Sequence, residues 1–248
     1  MEMEHAQYKK YYVAFLDILG FKNIINNRET TCQSILNIYK VVEVLHKDIM
    51  NKGQEDNQVK MKVMSDSICL YIECRPNALC YLINFCTIFQ YNLLTLPPPL
   101  VPQPIFIRGG IALGEMFIED DIIFGPALTQ AYLLEEKNAK VPRIIILKET
   151  LECGKEEADD DKALSLMENL IFQDDDAFYT LNYFFLLCSI DNNTKKNVED
   201  AISYYLDTTI DESIRQKYLY VDKKLRDAEK KYAKTSEGAD QCLTKPQQ

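Results

Sequence analysis

The sequence predicts an α+β domain, a mainly antiparallel sheet of the ferredoxin-like or palm type with helices on one face and further helices at the C-terminus. Three observations predict it. Strand-length apolar runs and helical periodicities alternate in the order β-α-β-β-α-β. The second and third strands are separated only by Ser65-Asp66-Ser67, a link short enough for a hairpin alone. Gly109, Gly110 and Gly114 lie within a strand pattern, lack GxGxxG spacing and open no helix, which excludes a dinucleotide-binding Rossmann fold.

The elements follow in order. Tyr11–Leu16 (YYVAFL) is a short apolar, aromatic-rich run, the pattern of a central strand. The turn Asp17–Lys22 (DILGFK) leads into a helical pattern reaching Met50, with Ile35, Ile38, Val42, Leu45 and Ile49 at three- and four-residue spacing. A polar loop (NKGQEDN) precedes the strands Val59–Met64 and Ile68–Glu73. From Pro76 to Ile107 there is no charged residue, and Ala78–Leu96 is about the length that spans a bilayer. Asn84, Thr87, Gln90, Asn92 and Thr95 interrupt it, and amides are costly in hydrocarbon, so it reads as a helix buried in a core or subunit interface. A prolyl run at Pro97–Pro99 and a connector to Pro104 follow.

Ile105–Leu113 is the next strand, its paired glycines allowing close backbone approach. Phe124-Gly125-Pro126 opens a helix to about Asn138, with Pro in the first turn where its missing N–H does no harm. Pro142–Leu147 is a strand. Glu156–Asp161 and Asp174–Asp176 read as solvated acidic loops, and Phe178–Phe185 as apolar surface or core. Helical patterns over Lys196–Asp207 and Glu212–Lys234 precede a polar tail from Thr235, expected to be disordered. Residues 1–234 read as a single domain, with a motif-bearing core over 11–147 and an extension over 148–234.

Composition narrows the function. Among 248 residues, 47% hydrophobic and 27% charged, the chain is too apolar to be disordered. With 28 Lys plus Arg against 38 Asp plus Glu, the net charge of −10 excludes a broad surface for nucleic acid or anionic lipid. None of the eight cysteines forms a CxxC pair, and with only His5 and His46 there is no zinc spacing. Both histidines read as surface residues. The charged N-terminus has no apolar signal core, and reduced, buried cysteines are the expectation for a cytoplasmic protein.

Two aspartates can carry chemistry. Asp17 ends the first strand before a glycine-containing turn, and Asp66 sits in the hairpin between strands two and three. In a palm-type sheet strands one and three are neighbours, so the two carboxylates can converge at one end of it. Such a pair suits hard divalent ions, Mg²⁺ or Mn²⁺, which take oxygen ligands and bridge phosphates. The turn Ile18–Lys22 offers backbone amides at a helix start, which favours phosphate oxygens. Each aspartate alone has an ordinary explanation, Asp17 as a helix cap and Asp66 as a turn former. Together they describe a nucleoside-triphosphate site.

These segments carry a resemblance. FLDILGFK and KMKVMSDSICLY resemble the two metal motifs of the class III nucleotidyl cyclases, IRGGIALGEMF resembles their following glycine strand, and FGPALTQAYLLEEKNAKVPRIII resembles their transition-state segment. The matches run in order over Tyr11–Leu147. Their wording is closer to the bacterial pyrimidine cyclases of Pycsar antiphage systems than to adenylate cyclases.

The resemblance implies two divalent metal ions per site, held by Asp17, Asp66 and the Ile18 carbonyl, with Leu19, Gly20, Phe21 and Lys22 on the triphosphate. A ribose 3′-hydroxyl attacks the α-phosphate in line, giving a 3′,5′-cyclic nucleotide and pyrophosphate. It places Lys60 at the base-reading lysine and Ile122 where adenylate cyclases carry a base-reading aspartate. It places Thr129 at the transition-state asparagine and Leu133 at the transition-state arginine. Ile122 cannot accept a hydrogen bond from an adenine amino group, which supports a different base, and the resemblance to the pyrimidine cyclases implies UTP before CTP as the substrate. With Leu133 apolar, Arg143 or Arg108 is expected to supply the missing positive charge, and Tyr132 to stack on the base or close the dimer. The implied partners are a second copy of the chain, arranged head to tail, and a separate effector protein reached through the cyclic nucleotide. The alternative is an inactive, nucleotide-binding regulatory module.

Overall fold

A computed structural model of the chain describes residues 7–26, 32–50, 58–95, 105–188 and 192–243. His5, the NKGQEDN loop and the prolyl connector lie outside the described residues. The chain divides into two compact units, Met1–Asn182 and Tyr183–Gln248. That boundary falls inside the expected extension rather than at the end of the motif-bearing core.

In the first unit β1 (Lys9–Ile18) is followed by α1 (Phe21–Asn26) and α2 (Cys32–Met50), two helices where the sequence read as one. Then come β2 (Lys60–Met64), β3 (Ser67–Glu73), α3 (Ala78–Thr95), β4 (Ile107–Glu119), β5 (Ile122–Phe124), α4 (Pro126–Asn138) and β6 (Ile144–Ile146). The unit ends with α5 (Lys148–Glu156), α6 (Asp161–Leu170), β7 (Ile171–Gln173) and β8 (Tyr179–Leu181). The strands form one sheet in the order β2-β3-β1-β4-β6-β8-β7, with β5 paired to β4. Only β4 and β6 run parallel, so the expected mainly antiparallel sheet is present. Strands β7 and β8, for which the sequence predicts no strand, lengthen this sheet beside β6.

Side chains alternate across β1. Tyr12, Ala14, Leu16 and Ile18 enter a core with Ile38 and Val42 of α2, Leu79, Leu82, Ile83 and Phe89 of α3, Leu151 of α5 and Met167 of α6. Val13 and Phe15 face the other way, where they pack with Ala112, Met116, Ala127 and Ala131. The expectation of helices on one face is therefore corrected: α4 covers the second face. It can do so because of glycine. A Cβ on Gly110 would stand 2.5 Å from the Ala131 carbonyl oxygen, so the helix backbone rests directly on β4. Gly125, at φ 145°, turns the chain into α4 where a Cβ would meet the Glu115 carbonyl at 2.6 Å.

Helix α3 is the one described helix long and apolar enough to cross a membrane, and 67% of it is buried inside the protein. Its polar residues are satisfied within the fold, Thr87 on the Ile83 carbonyl and Gln90 on the Ile107 carbonyl. His46 is also drawn inward, its Nε2 lying 2.8 Å from the Val59 carbonyl oxygen and its ring against Phe85, rather than standing free on the surface.

The second unit holds α7 (Phe184–Cys188), α8 (Asn192–Thr208) and α9 (Glu212–Leu243). Helices α8 and α9 form an antiparallel hairpin: Tyr205 stacks on Tyr218 at 4.8 Å, and Lys195 pairs with Glu229 near the other end. Helix α9 runs on past Lys234, through residues expected to begin a disordered tail.

Candidate active site

The end of β1 and the β2–β3 hairpin meet as the sequence reading requires. Asp17 lies opposite Ser67 on β3 and opposite Arg108 on β4. The Ile18 amide donates to the Asp66 carbonyl at 2.9 Å, which clamps the hairpin turn to the strand carrying Asp17. Ser65, at φ 55°, sets that turn, and the Tyr39 hydroxyl donates to its carbonyl at 2.9 Å. The Asp66 carboxylate is half-buried and accepts no hydrogen bond among the described residues. Two carboxylates and the Ile18 carbonyl are an all-oxygen donor set, chemically suited to Mg²⁺ or Mn²⁺ rather than to a soft metal. No cluster of three or more His, Cys, Asp or Glu able to hold a metal is found among the described residues.

The turn expected to hold phosphate offers fewer amides than its sequence does. The Ile18 and Leu19 amides are already spent, on the Asp66 and Phe106 carbonyls, because the turn is stitched into the sheet on both sides. Gly20, at φ 79°, makes the left-handed step that a side chain resists, and Phe21 is buried beneath it. Lys22 is exposed at the start of α1.

Arg108 is the cation of this site. Its Nε donates to Asp17 Oδ2 at 2.9 Å and its Nη1 to the Ala139 carbonyl at 3.2 Å. The same Nε lies 2.9 Å from Glu135 Oε1, an ion contact without hydrogen-bond alignment, and that oxygen is buried without a donor among the described residues. Burial pushes the Glu135 carboxyl up to about 7; Arg108 pulls it down and Asp17 pushes it further up. The sequence reading missed Glu135. Its signal was present: Ala127, Ala131, Leu134 and Glu135 form the buried stripe of α4, and a carboxylate on such a stripe calls for a partner.

This carboxyl predicts a pH dependence. Its folded pKa is raised above the unfolded value, so between about pH 4.5 and 7 the folded chain holds the extra proton. Stability from this group therefore falls as pH rises through that window and is flat above it. Glu135→Gln is expected to remove that slope. Thermal unfolding from pH 4 to 9 (roughly, spanning both values) should show the variant gaining on wild type up to about 7 and holding a constant lead beyond.

Arg143 is engaged by the acidic loop that follows β7. It is buried, with Nη1 on Asp174 Oδ2 at 2.7 Å and on Asp176 Oδ1 at 2.9 Å, Nη2 on Asp176 Oδ2 and the Asn138 carbonyl, and the guanidinium over Phe178. These contacts make Arg143 part of a buried ion-pair group. Asp174, read as part of a solvated loop, is its buried counter-ion. The other acidic run is equally structural: Glu157 accepts from the Tyr12 hydroxyl at 2.5 Å and from the Cys74 thiol at 3.2 Å, and Asp160 caps α6.

The remaining expected residues lie on α4, β5 and β2. Thr129 is exposed on the first turn of α4, donating to the Gly125 carbonyl at 3.3 Å. The helix rise puts it about 9 Å along the axis from Glu135. Leu133 is also exposed and, with Tyr8, Gly125, Pro126, Thr129 and Gln130, lines an open cavity of about 610 Å³. Tyr132 stands edge-on to Phe15 at 5.4 Å with its ring 40% exposed. Ile122 on β5 is exposed, as is Lys60 on β2. The neighbouring Lys62, not Lys60, is engaged, with Asp121 at 2.6 Å and the Asp120 carbonyl at 2.7 Å.

No family model matches the sequence, and no curated protein matches it either. Solved structures do. The guanylyl cyclase domain of the RhoGC fusion protein from the aquatic fungus Blastocladiella emersonii, in monomeric form, is 16% identical over 72% of this chain and 98% of that one, at a TM-score of 0.52. A dimeric form of that domain covers 73% of this chain and 98% of its own at 16% identity and 0.51. The adenylyl cyclase CyaB from P. aeruginosa is 16% identical over 72% of this chain and 96% of its own, at 0.50. The chain therefore has the fold of the class III nucleotidyl cyclase domains, with Asp17 and Asp66 clamped together at one end of its sheet.

Proposed function

We propose that the protein is a nucleotidyl cyclase that converts a pyrimidine nucleoside triphosphate, UTP before CTP, to its 3′,5′-cyclic nucleotide and pyrophosphate. The observation that carries the reading is the backbone clamp from Ile18 to Asp66, which holds both carboxylates at one end of the cyclase-type sheet. Asp17, Asp66 and the Ile18 carbonyl are the residues that would hold two divalent ions, Mn²⁺ or Mg²⁺. When bound, such ions neutralise the triphosphate and make the ribose 3′-hydroxyl more acidic. The chain's own contribution is alignment: the clamped aspartates fix one end of the substrate, and Gly20 lets the turn approach the phosphates closely.

Base choice rests on Ile122 and Lys60. Both residues are exposed, and the Ile122 side chain offers no acceptor to an adenine amino group. Thr129 and Leu133 border an open cavity whose lining does not include Asp17, and a head-to-tail homodimer would bring one copy's α4 to the other's aspartates. In that reading Tyr132 closes the interface or stacks on the base. The product would signal to a separate effector protein in the cytoplasm, as in a Pycsar-type antiphage system.

A second reading has its own support. Arg143 is held in a buried ion pair and Leu133 is apolar, so neither position offers a transition-state cation, which favours an inactive nucleotide-binding module. Incubation with ATP, GTP, CTP and UTP separately, with Mn²⁺ or Mg²⁺, and mass spectrometry of the products decides between them. A single cyclic pyrimidine is the expected result. A cyclic purine would retain the cyclase and discard the reading of Ile122; nucleotide binding without product would favour the inactive module.

A further inference from the structure

The Asp17–Arg108–Glu135 group contains more than an ion pair needs. Arg108 Nε is equidistant, at 2.9 Å, from Asp17 Oδ2 and Glu135 Oε1, yet its N–H serves Asp17 alone. Glu135 Oε1 is left buried without a donor, a costly arrangement that the guanidinium could relieve by a small reorientation. That reorientation has a pivot, because Nη1 is tethered to the Ala139 carbonyl at the end of α4. The close seat of α4 on Gly110 keeps Glu135 within reach.

We propose that Arg108 is a built-in placeholder for the cation of this site: it neutralises Asp17 while no cation is bound and passes to Glu135 when a divalent ion takes Asp17. A divalent ion at Asp17 repels the guanidinium and competes for the same carboxylate oxygen, while Glu135 offers the displaced N–H an acceptor already in place. Without Glu135 the displaced guanidinium would have no acceptor at hand, and the ion would have to overcome that loss. Asp17, Asp66 and Glu135 together outweigh Arg108 by two negative charges, the charge of one such ion. Glu135 and Arg108 are thus positioning residues, acting on the cation through Asp17. The inference rests on reading Asp17 and Asp66 as cation ligands.

The test is binding of Mn²⁺ alone to the full chain, without nucleotide, followed by the loss of the free-ion electron paramagnetic resonance signal at about pH 8, where Glu135 is ionised. Glu135→Gln should weaken Mn²⁺ binding about tenfold, Arg108→Gln should tighten it about tenfold, and adding Glu135→Gln to Arg108→Gln should change it less than about threefold. Equal weakening by Glu135→Gln in both backgrounds would show a simple charge effect and overturn the proposal. So would weaker binding in Arg108→Gln, or no Mn²⁺ retention by wild type.

If Arg108→Gln fails to fold, wild type alone decides. The Arg108 Nε–H resonance should remain visible and shift on addition of Mg²⁺, and an unmoved or vanished signal overturns the hand-over. Neither measurement uses turnover. A protein that shows the predicted binding pattern but makes no cyclic product keeps this inference and loses the cyclase reading.

Discussion

Asp66→Ala is expected to abolish cyclic nucleotide formation, by about 1,000-fold or more, since a direct cation ligand should exceed the roughly 10–100-fold typical of outer-shell partners. The same substitution should leave the thermal midpoint within about 2 °C of wild type. The two expectations come from one observation. Asp66 holds the hairpin to β1 through its backbone carbonyl, which accepts from the Ile18 amide, while its carboxylate accepts no hydrogen bond among the described residues. Alanine keeps the first and removes the second. Product formation with the preferred nucleotide and Mn²⁺, beside a thermal melt, reads both. A large drop in midpoint would place the carboxylate in the fold, and retained turnover would remove Asp66 from the chemistry. Asp17→Ala is a poorer probe, because it also strips Arg108 of its hydrogen-bonded partner.

Arg143→Met is expected to show the reverse pattern. The Arg143 and Asp174 side chains are only 6% and 2% exposed, so removing the guanidinium leaves a buried carboxylate without its counter-charge. Breaking such a pair costs about 3–5 kcal/mol. For a chain of this size that lowers the thermal midpoint by roughly 10 °C. Pairing it with Asp174→Leu should recover much of the loss, because the orphaned charge is then gone. Product formed per folded molecule, measured well below the melting range, should stay within about threefold of wild type. A loss of 100-fold or more at unchanged stability (about what removing one transition-state donor costs) would return Arg143 to the active site.

The two arginines show where a sequence stops being legible. Arg108 and Arg143 each sit at the start of a strand, next to glycine or proline, and nothing local distinguishes them. Their roles are set by partners far along the chain: Asp17 and Glu135 for Arg108, Asp174 and Asp176 for Arg143. Glu135 was overlooked for a related reason. Its neighbours Glu136 and Lys137 are exposed, and only the seating of α4 on Gly110 turns Glu135 inward. The strands β5, β7 and β8 were overlooked because three residues carry too little alternation to register as a period.

What the sequence determined by itself was whatever local pattern controls. The apolar runs Tyr11–Leu16 and Ile68–Glu73, the tight link at Ser65-Asp66-Ser67 and the Gly125-Pro126 helix start were enough to set the third strand beside the first and to bring Asp17 and Asp66 to one sheet end. Tertiary structure alone decided that helices cover both faces, that β8 and β7 extend the sheet, and which cation accompanies the aspartates. The physical reason is range. Turn geometry and side-chain alternation act over a few residues, whereas burial and charge pairing are settled between residues that meet only once the sheet and α4 have closed on one another.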